Sequence, residues 1–234
     1  MDDTGARHNG SNGYCTHIGN DLFAWFKSTE SKSRINFLKL LQGQHDDFII
    51  NDAAIEYMNQ QSLPRYQLRK FSHQVFTTER KWRSFLFKNG IRKKNHKKIA
   101  TEAALIGSLM DHGWNRDLAI VSDDAGQFYV LLHALCWVHA ERSIEVLVGY
   151  TDHQRKLIKS VKDDIWGFYS KLKNYRLGPD KNTRTALEES FDAIFGQKTG
   201  YASLDIALKR IQQNKSELLL VLERPDIPQI GRAS

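Results

Sequence analysis

The strongest constraint on the fold is a set of apolar residues between positions 151 and 175 that recur every three or four residues. Its members are Leu157, Val161, Ile165, Phe168, Leu172 and Tyr175. This spacing places them on one face of a long helix, and other elements must cover that face. Two shorter helices are predicted to follow, around Thr185–Phe195 and Leu204–Leu222. We therefore predict that residues 151–234 form a helical region.

The first half of the chain has a different pattern, in which short apolar strands alternate with helices. Tyr14–Gly19 and Leu22–Phe26 are rich in aromatic residues and are predicted as two strands of a meander. Asp2–Arg7 is predicted as its third strand. Ser31–Leu41 has helical spacing, and the run Phe48–Ile50 is typical of a buried strand. These elements indicate an α/β domain.

Further elements complete this predicted domain, residues 1–150. Asp52 is a candidate N-cap for a helix over Ala53–Gln61. A helix is predicted near Ile99–Asp111 and a buried strand over Leu118–Val121. Another helix is expected to start around Asp124. The whole chain is thus predicted to be a mixed sheet with flanking helices, followed by a helical C-terminal half.

Residues 65–98 interrupt this alternation, and we interpret them as a basic insertion or a long connection. The chain carries 34 Lys and Arg against 27 Asp and Glu, a net charge of +7. Such an excess suits DNA, although a basic soluble protein and a solvated loop are equally compatible with it. The candidate DNA-binding residues lie in the dense basic run of this segment and are Lys88, Arg92, Lys93, Lys94, Lys97 and Lys98. The basic face of the 151–175 helix is a second candidate surface.

The cysteine content and the lengths of the apolar runs favour a cytoplasmic location. Cys15 and Cys136 are too few and too far apart for a secreted disulfide framework. No apolar run approaches the roughly 18–20 residues that span a bilayer. A cytoplasmic protein with no membrane contact is expected.

Two segments place paired acids at the end of a predicted strand, Asp2-Asp3 and Asp123-Asp124. Carboxylates on adjacent strand ends can hold two divalent cations that activate water and stabilise a leaving oxygen. An aspartate at a strand-to-helix junction is, however, more often a helix cap. The acids alone do not decide between these roles.

A downstream block makes a resemblance visible. Ser122–Phe128 contains the second acidic pair, and Cys136–Arg142 contains Cys-Trp-x-His-x-x-Arg. Together they resemble the central block of insertion-sequence-sixty-six-type bacterial transposases. Asp2–Gly5 resembles the first catalytic strand of that family, and Leu222–Pro228 resembles the segment before its third carboxylate.

The resemblance implies a ribonuclease-H-like fold and an Asp-Asp-Glu site that uses Mg²⁺ or Mn²⁺ to nick DNA and join its 3′ ends. Asp2 matches the first catalytic and metal-binding aspartate. Asp123 matches the second, because an aromatic residue follows five positions later. Asp52 is a rival for the second position for the same reason. The implied partner is the DNA of transposon ends.

Cys136 and His139, with Arg142, are expected to order the helix behind the metal site. They also permit a zinc site, with Cys15 and His17 as possible partners. Structural zinc sites usually pair tight ligand clusters, and these two pairs are far apart in sequence.

The chain departs from the family pattern at both ends. Met1 directly precedes the first aspartate, and no glutamate follows Pro228 where the family has its third carboxylate. We therefore expect a truncated and catalytically incomplete transposase. The alternative function is a non-catalytic DNA-binding or interaction module that self-associates or modulates an intact transposase. A third hypothesis is an unrelated Mg²⁺-dependent nuclease or phosphatase.

Overall fold

The computed structural model describes residues 1–8, 10–20 and 22–227, and these form a mixed α/β protein. They divide into two compact units. Unit 1 contains residues 1–118 and 126–129, and unit 2 contains residues 119–125 and those from Val130 onward. The boundary predicted at residue 150 is therefore wrong, because the strands and the helix between 119 and 145 belong with the C-terminal helices. Asn9, Asp21 and residues 228–234, which include the last residue of the segment that resembles the third-carboxylate region, lie outside the described residues.

Unit 1 begins with an antiparallel meander of three strands. They are β1 (Asp2–His8), β2 (Ser11–Gly19) and β3 (Ala24–Thr29), in the order β1-β2-β3. The register places Asp2 opposite His17, and His17 opposite Phe26, whose ring it stacks on at 4.7 Å between centroids. The three predicted strands are confirmed.

The next elements are α1 (Arg34–Gln42), the buried strand β4 (Phe48–Ile50) and α2 (Asp52–Gln60). Strand β4 is confirmed as predicted. The predicted cap of α2 is wrong, because the side chain of Asn51, not Asp52, accepts the hydrogen bond from the backbone N–H of Ala54 at 3.2 Å.

The segment 65–98 is not a long connection. It contains α3 (Arg65–Leu68), β5 (Gln74–Phe76), α4 (Glu79–Lys88) and the start of α5 (Lys94–Asp111). Strand β5 pairs antiparallel with β4, and Trp82 of α4 is buried against Phe48. The segment therefore supplies part of the core of unit 1, and its three-residue strand is too short for periodicity to reveal.

Helix α5 is the central element of unit 1. Eleven of its residues are buried, most of them between Ile99 and Leu109. At Gly107 the helix meets strand β4 so closely that an added Cβ would lie 2.1 Å from the backbone oxygen of Ile49. A side chain at this position is therefore sterically excluded in the present packing.

Unit 2 starts with two parallel strands, β6 (Ala119–Ser122) and β7 (Leu132–Leu135). The helix expected near Asp124 is wrong, since residues 123–131 form turns and bends and the next helix begins at Trp137. The cause is local: the Asp123 carboxylate accepts a hydrogen bond from the N–H of Ala125 at 3.1 Å, which closes a turn rather than capping a helix.

The remaining elements of unit 2 are helical. They are α6 (Trp137–Glu145), α7 (Asp152–Leu177), α8 (Lys181–Phe195), α9 (Ala202–Gln213), α10 (Lys215–Leu218) and a 3₁₀ turn (Leu220–Leu222). The long helix is confirmed, and its predicted apolar face is buried from Val161 to Tyr175. A capping box of Thr151 and Gln154 starts it. The helix predicted over Leu204–Leu222 is divided into three pieces.

Among the helices that the structure describes, none has both the length and the apolarity that a membrane span requires.

Two glycines in the middle of helices provide a matched test of this packing. Gly107→Ala should destabilise unit 1 by about 1–3 kcal/mol, because the new methyl group overlaps the backbone of β4. Gly167→Ala in α7 should stabilise unit 2 by roughly 0.5–1 kcal/mol, because Gly167 faces open space and alanine is the better helix former. Chemical unfolding followed by circular dichroism measures both. Equal effects of the two substitutions would contradict the close approach at Gly107.

Candidate functional site

The carboxyl edge of β6 and β7 gathers the residues that the resemblance singles out in unit 2. The strands are parallel and Ser122 lies opposite Leu135, so Asp123 and Cys136 leave the sheet at the same edge. The backbone N–H of Cys136 donates to the carbonyl of Ser122 at 2.9 Å. The structure therefore places the second acidic pair beside the Cys-Trp-x-His segment.

Polar side chains inside this strand pair hold the edge in place. Ser122 is buried, and its hydroxyl lies 2.8 Å from Nε2 of His133 on β7 and donates to the carbonyl of Asp123 at 2.8 Å. Strand β7 was not predicted. The apolar run from Val130 to Leu135 is the signal that could have revealed it.

A cavity of about 250 Å³ opens at this edge within unit 2. Asp124 and the three predicted supporting residues, Cys136, His139 and Arg142, all line it. Cys136 precedes helix α6 rather than lying on its face. Nδ1 of His139 is buried and has no hydrogen-bond partner among the described residues.

Arg210 from helix α9 completes the wall of this cavity. Its guanidinium donates twice to Oδ2 of Asp124, at 2.9 and 2.5 Å. No sequence motif indicated Arg210, which is separated from Asp124 by 86 positions. The cavity therefore contains two guanidinium groups and one carboxylate, with the carboxylate already paired.

The motif Cys-Trp-x-His is divided between the cavity and the core. Trp137 is buried against Phe168, Phe191 and Phe195, and its indole N–H donates to the carbonyl of Leu218 at 3.2 Å. This packing fixes the first turn of α6, so Cys136 and His139 are held towards the cavity.

Helix α6 is also attached to α7 by an ion pair. The Glu141 carboxylate is almost fully buried, and Nζ of Lys162 lies 3.1 Å from it and 3.2 Å from Glu145. The hydrogen bond with Glu141 raises the pKa of Lys162. A buried carboxylate without such a partner would be strongly destabilising, so Lys162 has a structural role.

Burial determines the chemistry of Cys136. The thiol lies at the start of a helix and accepts hydrogen bonds from the backbone of His139 and Val138, which favour the thiolate. Burial nevertheless outweighs them and raises the pKa of the Cys136 thiol. Cys136 is therefore a neutral thiol near pH 7.

The other predicted metal ligands lie in unit 1. Asp2 is exposed on β1, and Asp52 is exposed at the start of α2, where its carboxylate lies 3.0 Å from Nε2 of His73. Cys15 and His17 of the zinc hypothesis are on β2 of the same unit. Neither unit, within the part of the chain that the structure describes, contains three His, Cys, Asp or Glu residues grouped to hold a metal ion. The residues of each unit thus do not by themselves fit a Mg²⁺ site.

The predicted basic cluster lies on unit 1 and is exposed. Lys88 ends α4, Arg92 and Lys93 follow in the connection, and the remaining three lysines are in the first turns of α5. Acidic neighbours are few: Lys98 lies 3.9 Å from Glu102. Arg83 and Lys39, which the sequence analysis did not select, add to the same surface.

The whole chain is 41% identical to Uncharacterized protein y4jO of Sinorhizobium fredii, over 244 aligned residues that cover 74% of that relative. The chain belongs to the y4jO family. No family model matches it, and no solved structure matches it. Because the y4jO alignment covers all of this chain, the relative contains counterparts of both units.

The protonation state of Cys136 can be tested by thiol labelling. In a Cys15→Ser variant at neutral pH, Cys136 should react with a disulfide reagent about tenfold more slowly in the folded protein than in denaturant. Burial of Sγ and the raised pKa both slow the reaction. The reciprocal Cys136→Ser variant, which retains the half-buried Cys15, is the control. Its folded form should react faster than the folded Cys15→Ser variant. Equal folded and unfolded rates for Cys136 would contradict the assignment.

Proposed function

We propose that this chain is a DNA-binding protein of the transposase class, built on the ribonuclease-H-like core of insertion-sequence-sixty-six-type transposases. The observation that carries the proposal is the carboxyl edge of β6 and β7. There Asp123 ends one strand, and the Cys136–Arg142 segment directly follows the parallel neighbour. This order of strand, acidic pair and Cys-Trp-x-His-x-x-Arg segment supports the resemblance.

The architecture of unit 1 is compatible with this proposal. An antiparallel meander with Asp2 on its first strand precedes the helices, as the first catalytic strand of the family does. The strands that the structure describes pair in three small sheets. A ribonuclease-H-like arrangement of the strands is part of what we propose.

Charge supports DNA as the partner. Residues 79–98 contain nine Lys and Arg and one acidic residue, a net +8, whereas the whole chain carries +7. The excess positive charge is thus concentrated on α4, α5 and their connection. Lysines and arginines at such density bind phosphates and release counterions. Exposed lysines of α7, such as Lys156 and Lys159, form a second candidate surface, whereas Lys162 is engaged by Glu141.

Asp2 and Asp123 are the proposed catalytic carboxylates, and Mg²⁺ or Mn²⁺ is the ion that the resemblance assigns to them. Neither unit by itself gathers the ligands of such an ion. The proposal therefore rests on the strand-end geometry and on the charge. Cys136, His139 and Arg142 are proposed to hold the helix behind Asp123.

DNA binding through the basic cluster should depend steeply on salt. A Lys93→Gln, Lys94→Gln, Lys97→Gln triple variant should lower the slope of log K against log salt by about 2–3, because each lost phosphate contact contributes about 0.9. Fluorescence anisotropy with duplex DNA measures the slope. The matched control is Lys27→Gln, Lys181→Gln, Lys209→Gln, which removes the same charge from other exposed sites. Indistinguishable slopes for the two triple variants would refute the assigned surface.

The role of Asp123 can be separated from that of its rival Asp52. Any residual cleavage or joining of transposon-end DNA by this chain should be lost in Asp123→Asn and in Asp2→Asn. It should be retained in Asp52→Asn, and DNA binding should be unchanged in all three. A gel assay in Mg²⁺ and Mn²⁺ provides the measurement. Cleavage that requires Asp52 but not Asp123 would reverse the assignment, whereas binding without any cleavage would favour the non-catalytic alternative.

A further inference from the structure

A groove of about 490 Å³ in unit 1 lies among helices α1, α4 and α5. Its apolar lining includes Trp82, Leu86, Phe87 and Ile91. Three of these are buried, whereas the Phe87 ring is 62% exposed. The groove therefore combines an apolar floor with one aromatic ring that solvent reaches.

Cations surround this floor. Lys39, Arg83, Arg92 and Lys97 line the groove together with a single carboxylate, Glu79. Glu79 is engaged by two of them, since Nζ of Lys39 lies 2.7 Å from it and the Arg83 guanidinium also donates to it. Its hydrogen bond with Lys39 lowers the pKa of Glu79, so this carboxylate is ionised and neutralised in place.

The other two cations are available. Arg92 and Lys97 form no ion pair with an acidic side chain in the part of the chain that the structure describes. The guanidinium of Arg92 lies over the Phe87 ring at 4.4 Å from its centroid. The Phe87–Arg92 pair is therefore a planar, cationic platform at the mouth of an apolar groove.

A double helix could use only part of this surface. Its phosphates would meet the cations, but its bases are stacked inside the duplex and could not reach the apolar floor. An unpaired nucleotide could use both, because a base stacks on aromatic and guanidinium planes while its phosphates meet the cations. A groove of this volume is also in the range of small-molecule sites.

We propose that this groove binds single-stranded DNA, with one base against Phe87 and the apolar floor and the adjacent phosphates on Arg92 and Lys97. The inference deepens the proposed DNA-binding function and rests on it. It assigns to unit 1 a preference for unpaired strands, such as those exposed when DNA ends are opened.

The test compares a single-stranded oligonucleotide with its duplex by fluorescence anisotropy at fixed salt. Phe87→Ala should weaken single-strand binding by roughly fivefold to a hundredfold, the range measured for loss of one stacked base. Its effect on duplex binding should stay below about twofold, and its salt slope should be unchanged, because no charge is removed. An iodouracil-substituted strand should crosslink to the peptide that contains Phe87.

Tyr66→Ala is the matched control, because Tyr66 is an aromatic residue of the same unit with 57% exposure and lies outside the groove. It should leave both affinities unchanged. Circular dichroism of each variant confirms that the fold is retained, as expected for exposed side chains.

The possible failures are distinguishable. If Phe87→Ala leaves single-strand binding unchanged, or weakens single-strand and duplex binding equally, the groove inference is overturned while the basic surface stands. If the Lys93→Gln, Lys94→Gln, Lys97→Gln variant also binds both DNAs as wild type does, the groove inference and the proposed DNA-binding surface are both refuted. Tighter binding of an RNA strand of the same sequence would overturn DNA as the occupant.

Discussion

The close approach of α5 to β4 is the contact on which unit 1 depends. This approach is possible only because position 107 lacks a side chain. The side chain of Asn51 forms two hydrogen bonds beside it. The amide nitrogen of Asn51 donates to the carbonyl of Gly107 at 2.9 Å, while its side-chain oxygen caps α2 through Ala54. One residue thus fixes the strand, the following helix and α5 together. A buried network extends this arrangement: the Tyr57 hydroxyl donates to the Glu102 carboxylate at 2.7 Å and accepts from Arg34 at 3.0 Å.

The same helix determines where the positive charge lies. Its continuous buried part begins at Ile99, and in the turns before it His96 is buried whereas Lys94, Lys97 and Lys98 remain in solvent. Helix α4 is held against α5 by Trp82, whose indole N–H donates to Thr101 at 3.0 Å. The floor of the groove is therefore part of the core and does not need to reorganise when a ligand enters. Such preorganisation lowers the entropic cost of binding.

Sequence patterns predicted α7 from its periodic apolar face, the meander from aromatic and apolar segments, and β4 from a continuous apolar run. They did not predict β5, because Gln74–Phe76 is neither a continuous apolar run nor long enough to show a period, and its stability comes from pairing with β4. The expected helix at Asp124 had the same sequence signal as a turn, and only the contact of Asp123 with Ala125 decides between them. Cys136, His139 and Arg142, which the motif singled out, line one cavity. Arg210 could not be predicted, since it reaches the site through the packing of α9.

The pairing of Arg210 with Asp124 also bears on which aspartate acts. Both partners are partly exposed, and such ion pairs contribute only about 0–1 kcal/mol to stability. A cation that used Asp124 would first have to displace a guanidinium that donates to it twice. Asp123 has no such competitor in the described residues, since its carboxylate only accepts from the backbone of the next turn. The neighbouring acids thus differ in their contacts: Asp124 anchors α9 to the strand edge, whereas Asp123 closes the turn that follows β6.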